Sequence, residues 1–192
     1  MRLYHIAGTR SSRVHWALEE AGLPYEIENI TRDERQEPAH LARHPLGRVP
    51  VVHDGEGYVF ESAAIVLQIA DLAPAGKLIA AAGSHDRALQ YQWVLFAMVE
   101  METGIMERYL FGESDRARSD AGVERYRAAA QLVEDALAGR EWLVGSSFSV
   151  ADLVMAGVTS FGAFLGMNDG FTNIAAHLGR CTARPAYVRA SA

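Results

Sequence analysis

The chain is predicted to fold as an α/β domain of order β-α-β-α-β-β-α, a four-stranded mixed sheet with helices on its faces, followed by an all-α helical bundle. Three observations predict this. Strand and helix patterns alternate as far as Leu72, composition shifts at Ala73-Pro74-Ala75-Gly76, and beyond that point apolar residues recur only at helical spacing. The expected division is therefore residues 1–75 and residues 84–192.

Each element has its own signal. Leu3 to Ala7 reads as a strand, and Val14, Ala17, Leu18 and Ala21 repeat at i, i+3, i+4 and i+7 before Gly22 and Pro24 stop the helix. Tyr25 to Ile30 is a second strand. Arg32 to Arg43 is polar and weakly periodic, a helix or an irregular segment ahead of His44-Pro45. Val49 to His53 and Tyr58 to Phe60 form a hairpin around Asp54-Gly55, followed by a helix with Ile65, Ile69 and Leu72 on one side. In the second half, Asp86 to Phe111 is a long helix apolar on more than one side, and Gly112 to Gly122 is a charged loop. Val123, Tyr126, Ala130, Val133 and Leu137 stripe the next helix. Ser149-Val150-Ala151-Asp152 is placed as a capping box before a last strongly apolar helix.

Composition narrows the function classes. With 49% hydrophobic and 22% charged residues over 192 positions, the chain can bury a sizeable core, and its net charge of -6 argues against a nucleic-acid or anionic-membrane surface. Lys77 is the only lysine, so positive charge is almost all arginine and is spread out. Because Arg2 to Ile6 already reads as a strand, no leader peptide is expected and the default compartment is the cytoplasm. The uncharged run from Leu153 to Asn168 is short for a membrane span and reads as a buried helix. A single cysteine, Cys181, excludes an internal disulfide framework and a Cys-x-x-Cys redox pair. His40 and His44 stand at i, i+4 with no third ligand following, so no metal site is expected.

The most informative stretch runs from Arg48 to Ser62, R-V-P-V-V-H-D-G-E-G-Y-V-F-E-S. Pro50 has no N–H to give to a ladder and belongs at the start of an edge strand. If the Val49-Pro50 bond is cis, the Val49 backbone faces outward, where an extended ligand can pair with it as an added strand. Glu61-Ser62 starts a helix whose first N–H groups attract a carboxylate. A peptide with free carboxylates suits both features.

Over essentially its whole length the chain resembles the soluble glutathione S-transferases of bacterial type. The residues that carry the resemblance are the opening L-Y-H-I-A-G-T-R-S-S-R-V-H-W-A-L-E-E-A-G-L-P-Y-E, the segment H-P-L-G-R-V-P-V-V, the pair E-S and the cap F-S-V-A-D. The resemblance implies a thioredoxin-like N-terminal domain that binds glutathione, a helical domain with a second-substrate pocket, and a homodimer. It also implies a detoxifying transfer of the glutathione sulfur to an electrophilic, largely apolar small molecule. By the same resemblance the Val49 backbone beside Pro50 pairs with the cysteinyl part of glutathione, and Glu61 with Ser62 holds its γ-glutamyl end. Arg48 or Arg43 takes the glycyl carboxylate, and Arg10 steers an anionic second substrate. A free thiol has a pKa of about 8.5, so its anion needs a nearby hydroxyl and helix N-terminus. Thr9 stands first for that catalytic role and Ser11 second, and Ser11 or Ser12 can equally cap the first helix. No tyrosine or cysteine occupies the loop, although Tyr4 lies just upstream. A non-catalytic glutathione-binding protein, or a glutathione-dependent isomerase, peroxidase or dehalogenase on the same fold, are the alternative readings.

Overall fold

In a computed structural model that describes residues 1–192, β1 (Arg2–His5) lies inside a four-stranded sheet of order β2-β1-β3-β4. It runs parallel to β2 (Glu26–Asn29), with Leu3 opposite Ile27, and antiparallel to β3 (Val51–His53), with Leu3 opposite Val52. The tight turn at Asp54-Gly55 returns β4 (Tyr58–Phe60) along β3 as the edge. Leu3, Tyr4, His5, Val51 and Val52 are all buried, the pattern of inner strands covered on both faces. β4 leaves Tyr58 and Phe60 exposed.

Helix α1 (Ser11–Ala21) buries the predicted stripe Val14, Ala17, Leu18 and Ala21, and the left-handed Gly22 ends it by donating to the Leu18 carbonyl at 3.0 Å. Helix α3 (Ser62–Leu72) buries Ile65, Val66, Ile69 and Ala70. Each such aliphatic side chain contributes about 1.5–3 kcal/mol by leaving water. Between β2 and β3 the polar segment forms a 3₁₀ turn (Glu34–Gln36) and the single helical turn α2 (Pro38–Leu41). β3 begins at Val51, two residues later than the pattern suggested, and Val49 stays outside both ladders. The loop before it turns at Gly47, where φ is +57 and a Cβ would lie 2.6 Å from the Arg35 carbonyl. Only glycine fits there.

The chain separates into two units, Met1–Ile79 joined by Arg184–Ala192, and Ala80–Ala183. The last residues, assigned by sequence to the helical part, thus group with the sheet. Helix α9 (Pro185–Ala190) packs on α1, where Arg184 grips the buried Glu20 carboxylate through two bonds of 2.6 and 2.8 Å and Tyr187 sits edge-on to Trp16.

The second unit is helical. α4 (His85–Phe96), a π-helical turn (Ala97–Met101) and α5 (Glu102–Phe111) run on as one rod. α6 (Arg116–Ala136) starts inside the segment read as a charged loop, because Asp115 accepts the Arg118 N–H and caps it. Gly122 proves to be a packing residue. A Cβ on Gly104 would lie 2.5 Å from the Gly122 carbonyl, and one on Gly122 would lie 2.8 Å from the Gly104 carbonyl, so α5 and α6 approach backbone to backbone. α7 (Val150–Phe164) is the buried core helix, and α8 (Thr172–Thr182) carries Cys181, which is fully buried. No helix is long and apolar enough to cross a membrane.

Candidate functional site

Three short segments of the first unit carry the residues singled out by sequence. The loop after β1 holds Thr9 and Ser11. Ser11 is wholly buried: its Oγ accepts the Ile6 N–H at 3.1 Å, lies 2.9 Å from the Ile6 carbonyl and 2.8 Å from Thr9 Oγ1. Thr9 is half-buried, donates to the same carbonyl at 2.7 Å, and accepts the Ser11 N–H at 3.3 Å. Two hydroxyl protons thus share one carbonyl and each other. Ser11 can satisfy that carbonyl alone, which leaves the Thr9 proton free to turn outward. The Thr9 carbonyl takes the Ser12 N–H at 3.0 Å, so this loop also forms the start of α1.

The second segment precedes β3. The Val49-Pro50 bond is cis, as the edge reading required, and Pro50 is buried. Neither the N–H nor the carbonyl of half-buried Val49 pairs with another backbone group. Arg48 is exposed and makes no ion pair, whereas Arg43 is committed to Glu28 at 3.5 Å and lies over the Tyr4 ring at 4.2 Å. Of the two arginines, Arg48 is the one available to an incoming carboxylate. The histidine pair is used within the loop: His40 Nε2 bonds the Arg48 carbonyl at 2.9 Å, and His44 Nδ1 accepts the Leu46 N–H at 3.2 Å. His44 also packs on Phe60 at 4.6 Å. Burial holds the His44 imidazole below its usual range against the opposing pull of Glu61, in keeping with the acceptor role of Nδ1.

The third segment is the start of α3. Glu61 is the only non-glycine residue at positive φ, 74°, with ψ 109°, and its side chain does not cap the helix. Such a backbone costs of order 1–3 kcal/mol and persists only where the surroundings hold it. The first intrahelical bond of α3 runs from Ile65 to the Glu61 carbonyl, which leaves the N–H groups of Ser62, Ala63 and Ala64 without helical partners. Ser62 is buried, and its Oγ accepts from Arg13 Nη1 at 3.4 Å.

Arg13 is a residue the sequence reading missed. It is an almost fully buried cation on α1 reaching the start of α3, 49 positions along the chain. A signal existed in the pattern, since Arg13, Ala17 and Glu20 fall at i, i+4 and i+7 on a face that also holds Val14 and Ala21, and charges there need partners.

An unpaired strand margin beside an uncapped, strained helix start has counterparts among known proteins. The family model described as glutathione S-transferase, N-terminal domain, matches residues 1–71, and that of the C-terminal domain matches residues 86–185. The chain belongs to the glutathione S-transferase family. Glutathione S-transferase 1 of Zea mays is 30% identical over 171 residues, covering 83% of this chain and 79% of that one. Among solved family members, a glutathione transferase of Methylococcus capsulatus superposes with a TM-score of 0.90 at 28% identity, covering 99% and 96% of the two chains. A sphingomonad glutathione S-transferase complexed with glutathione gives 0.90 at 28% identity, covering 100% and 97%. The family fold, a thioredoxin-like sheet unit followed by a helical unit, is the one predicted from sequence.

The helical unit of this family member offers one exposed aromatic group. Tyr109 on α5 lies edge-on to Phe161 on α7 at 5.4 Å, Phe161 stacks on Phe164 at 6.3 Å, and Phe164 is 78% exposed. A side chain of that size left in water is a place for an apolar ligand.

Proposed function

We propose that the protein is a glutathione transferase that joins the glutathione thiolate to an electrophilic, largely apolar small molecule. The observation that carries this reading is the unpaired Val49 backbone beside the open first turn of α3. In it the cysteinyl part of glutathione adds to the β3 margin through the Val49 N–H and carbonyl, ahead of Pro50. The γ-glutamyl carboxylate sits on the N–H groups of the α3 start and the Ser62 hydroxyl, its amine faces Glu61, and Arg48 takes the glycyl carboxylate.

Thr9 then supplies the proton that stabilises the thiolate, with Ser11 behind it taking over the Ile6 carbonyl. The sulfur attacks the electrophilic carbon and the leaving group departs with the bonding pair, so no covalent protein intermediate forms. Tyr109, Phe161 and Phe164 provide apolar surface for the electrophile. No metal takes part in this scheme.

The same reading makes the protein a cytoplasmic homodimer. Tyr91, Leu95 and Val99 are exposed at i, i+4 and i+8 along the α4 rod, and this stripe supports pairing with a second copy. Retention on immobilised glutathione, followed by conjugation of 1-chloro-2,4-dinitrobenzene, tests the assignment. Retention with turnover is expected. Retention without turnover would make it a binding protein, and failure to bind would remove the site.

A further inference from the structure

We propose that His40 is a positioning residue for glutathione, acting through the Arg48–Val49 peptide plane. The inference rests on the reading that Val49 meets the tripeptide, and adds a residue that does not touch it. His40 lies in the single turn α2, is 2% exposed, and spends its one polar contact on the Arg48 carbonyl at 2.9 Å. A carbonyl only accepts, so Nε2 carries the proton and Nδ1 is bare. Nδ1 is buried without a partner.

The Arg48 carbonyl and the Val49 N–H are two ends of one peptide unit. That unit is planar and trans, since the cis bond is the next one, and its C=O and N–H therefore point in opposite directions. Holding the oxygen toward α2 turns the Val49 N–H away from α2, into the open margin. The other polar contacts of the loop stop short of this plane: His44 takes the Leu46 N–H on Nδ1 and the Gly47 N–H on its carbonyl, at 3.2 and 2.8 Å. Arg48 and Val49 give it no further anchor, because the Arg48 side chain is exposed and unpaired and Val49 lies outside the ladders. An apolar ring would fill the site beside Tyr4 without the penalty of an unpaired buried nitrogen. The hydrogen bond to Arg48 is what a histidine adds there.

The test uses the full chain with glutathione and 1-chloro-2,4-dinitrobenzene. His40→Phe keeps a flat ring and loses the donor; it should raise the KM for glutathione about fivefold to tenfold. The kcat and the KM for the electrophile should stay within about twofold. His40→Gln, which carries an N–H, should return the glutathione KM to within about twofold of wild type. An unchanged glutathione KM in His40→Phe, or equal losses in both variants extending to both KM values, would overturn the proposal.

Two measurements stand apart from catalysis. Long-range ¹H–¹⁵N spectra of the wild-type imidazole should show Nε2 protonated and Nδ1 bare, and the opposite tautomer would overturn the anchor whether or not either variant folds. The Val49 amide resonance should move between wild type and His40→Phe in the absence of glutathione. If wild type neither binds glutathione nor turns over, the functional reading fails, and these spectra still decide whether His40 holds the plane.

Discussion

Two helix starts in this chain look alike in sequence and end in opposite chemical states. At the start of α7, Asp152 accepts the Ser149 N–H and hydroxyl at 2.9 and 3.0 Å, the Leu143 N–H at 2.9 Å, and His177 Nε2 at 3.0 Å, all of it buried. Every polar group there has a partner inside the unit. At the start of α3 the cap residue Glu61 points into solvent on a strained backbone, and the first N–H groups stay open. The first arrangement stabilises the fold, whereas the second keeps its hydrogen-bonding capacity for a ligand. The start of α1 lies between them, with Ser11 sealed inside and Thr9 half out.

Breaking the closed start should give the largest change. Asp152→Ala leaves two N–H groups, a hydroxyl and an imidazole unpaired in the core, and should cost about 3–5 kcal/mol in urea unfolding. Whatever fraction remains folded should keep the glutathione KM of wild type. A comparable loss of affinity would mean that the closed and open starts are coupled.

The half-open start should separate its two hydroxyls. Thr9→Ala is expected to lower kcat about 100-fold, the scale of one well-placed donor to an anion, with glutathione retention kept. Ser11→Ala should act mainly on stability, by about 1–2 kcal/mol, since its Oγ serves the Ile6 N–H. Unfolding curves and steady-state kinetics on both variants resolve the pair, and the reverse ranking would move the catalytic hydroxyl to Ser11.

The open start should trade stability against binding. Glu61→Gly relieves the positive φ and should raise stability by about 1 kcal/mol while the glutathione KM rises about tenfold. A variant that gains stability without losing affinity would take Glu61 out of the site.

The smallest effect belongs to the β3–β4 turn. The Asp54 carboxylate accepts the N–H groups of Glu56 and Gly57 and the Gln68 amide, and these bonds lower its pKa to about 2. With the folded pKa below the ordinary value of 3.8, this contribution is fully present above pH 4 and disappears as pH falls through about 2. Asp54→Asn should therefore flatten the acid limb of the thermal-melting profile over that window, leaving the melting temperature at pH 7 little changed.

Much of the site was legible along the chain because its chemistry is local. Val49-Pro50 and Glu61-Ser62 act through backbone groups, and a proline without an N–H or a helix beginning can be read from a few neighbours. Arg13 and His40 were missed because their partners, Ser62 and the Arg48 carbonyl, are brought near by packing and not by spacing. The start of α6 was misread because charged residues at Arg116 to Asp120 carry no apolar stripe, although Asp115 caps them.

By itself the sequence determined the order of strands and helices, the break after the first seven elements, and the family, since periodicity and turn chemistry are written residue by residue. The tertiary structure decided which helix starts are closed and which stay open, which of Thr9 and Ser11 reaches the surface, and that α9 returns to α1. Those outcomes depend on where each hydrogen bond finds its partner once the chain is folded, and that is a property of positions in space.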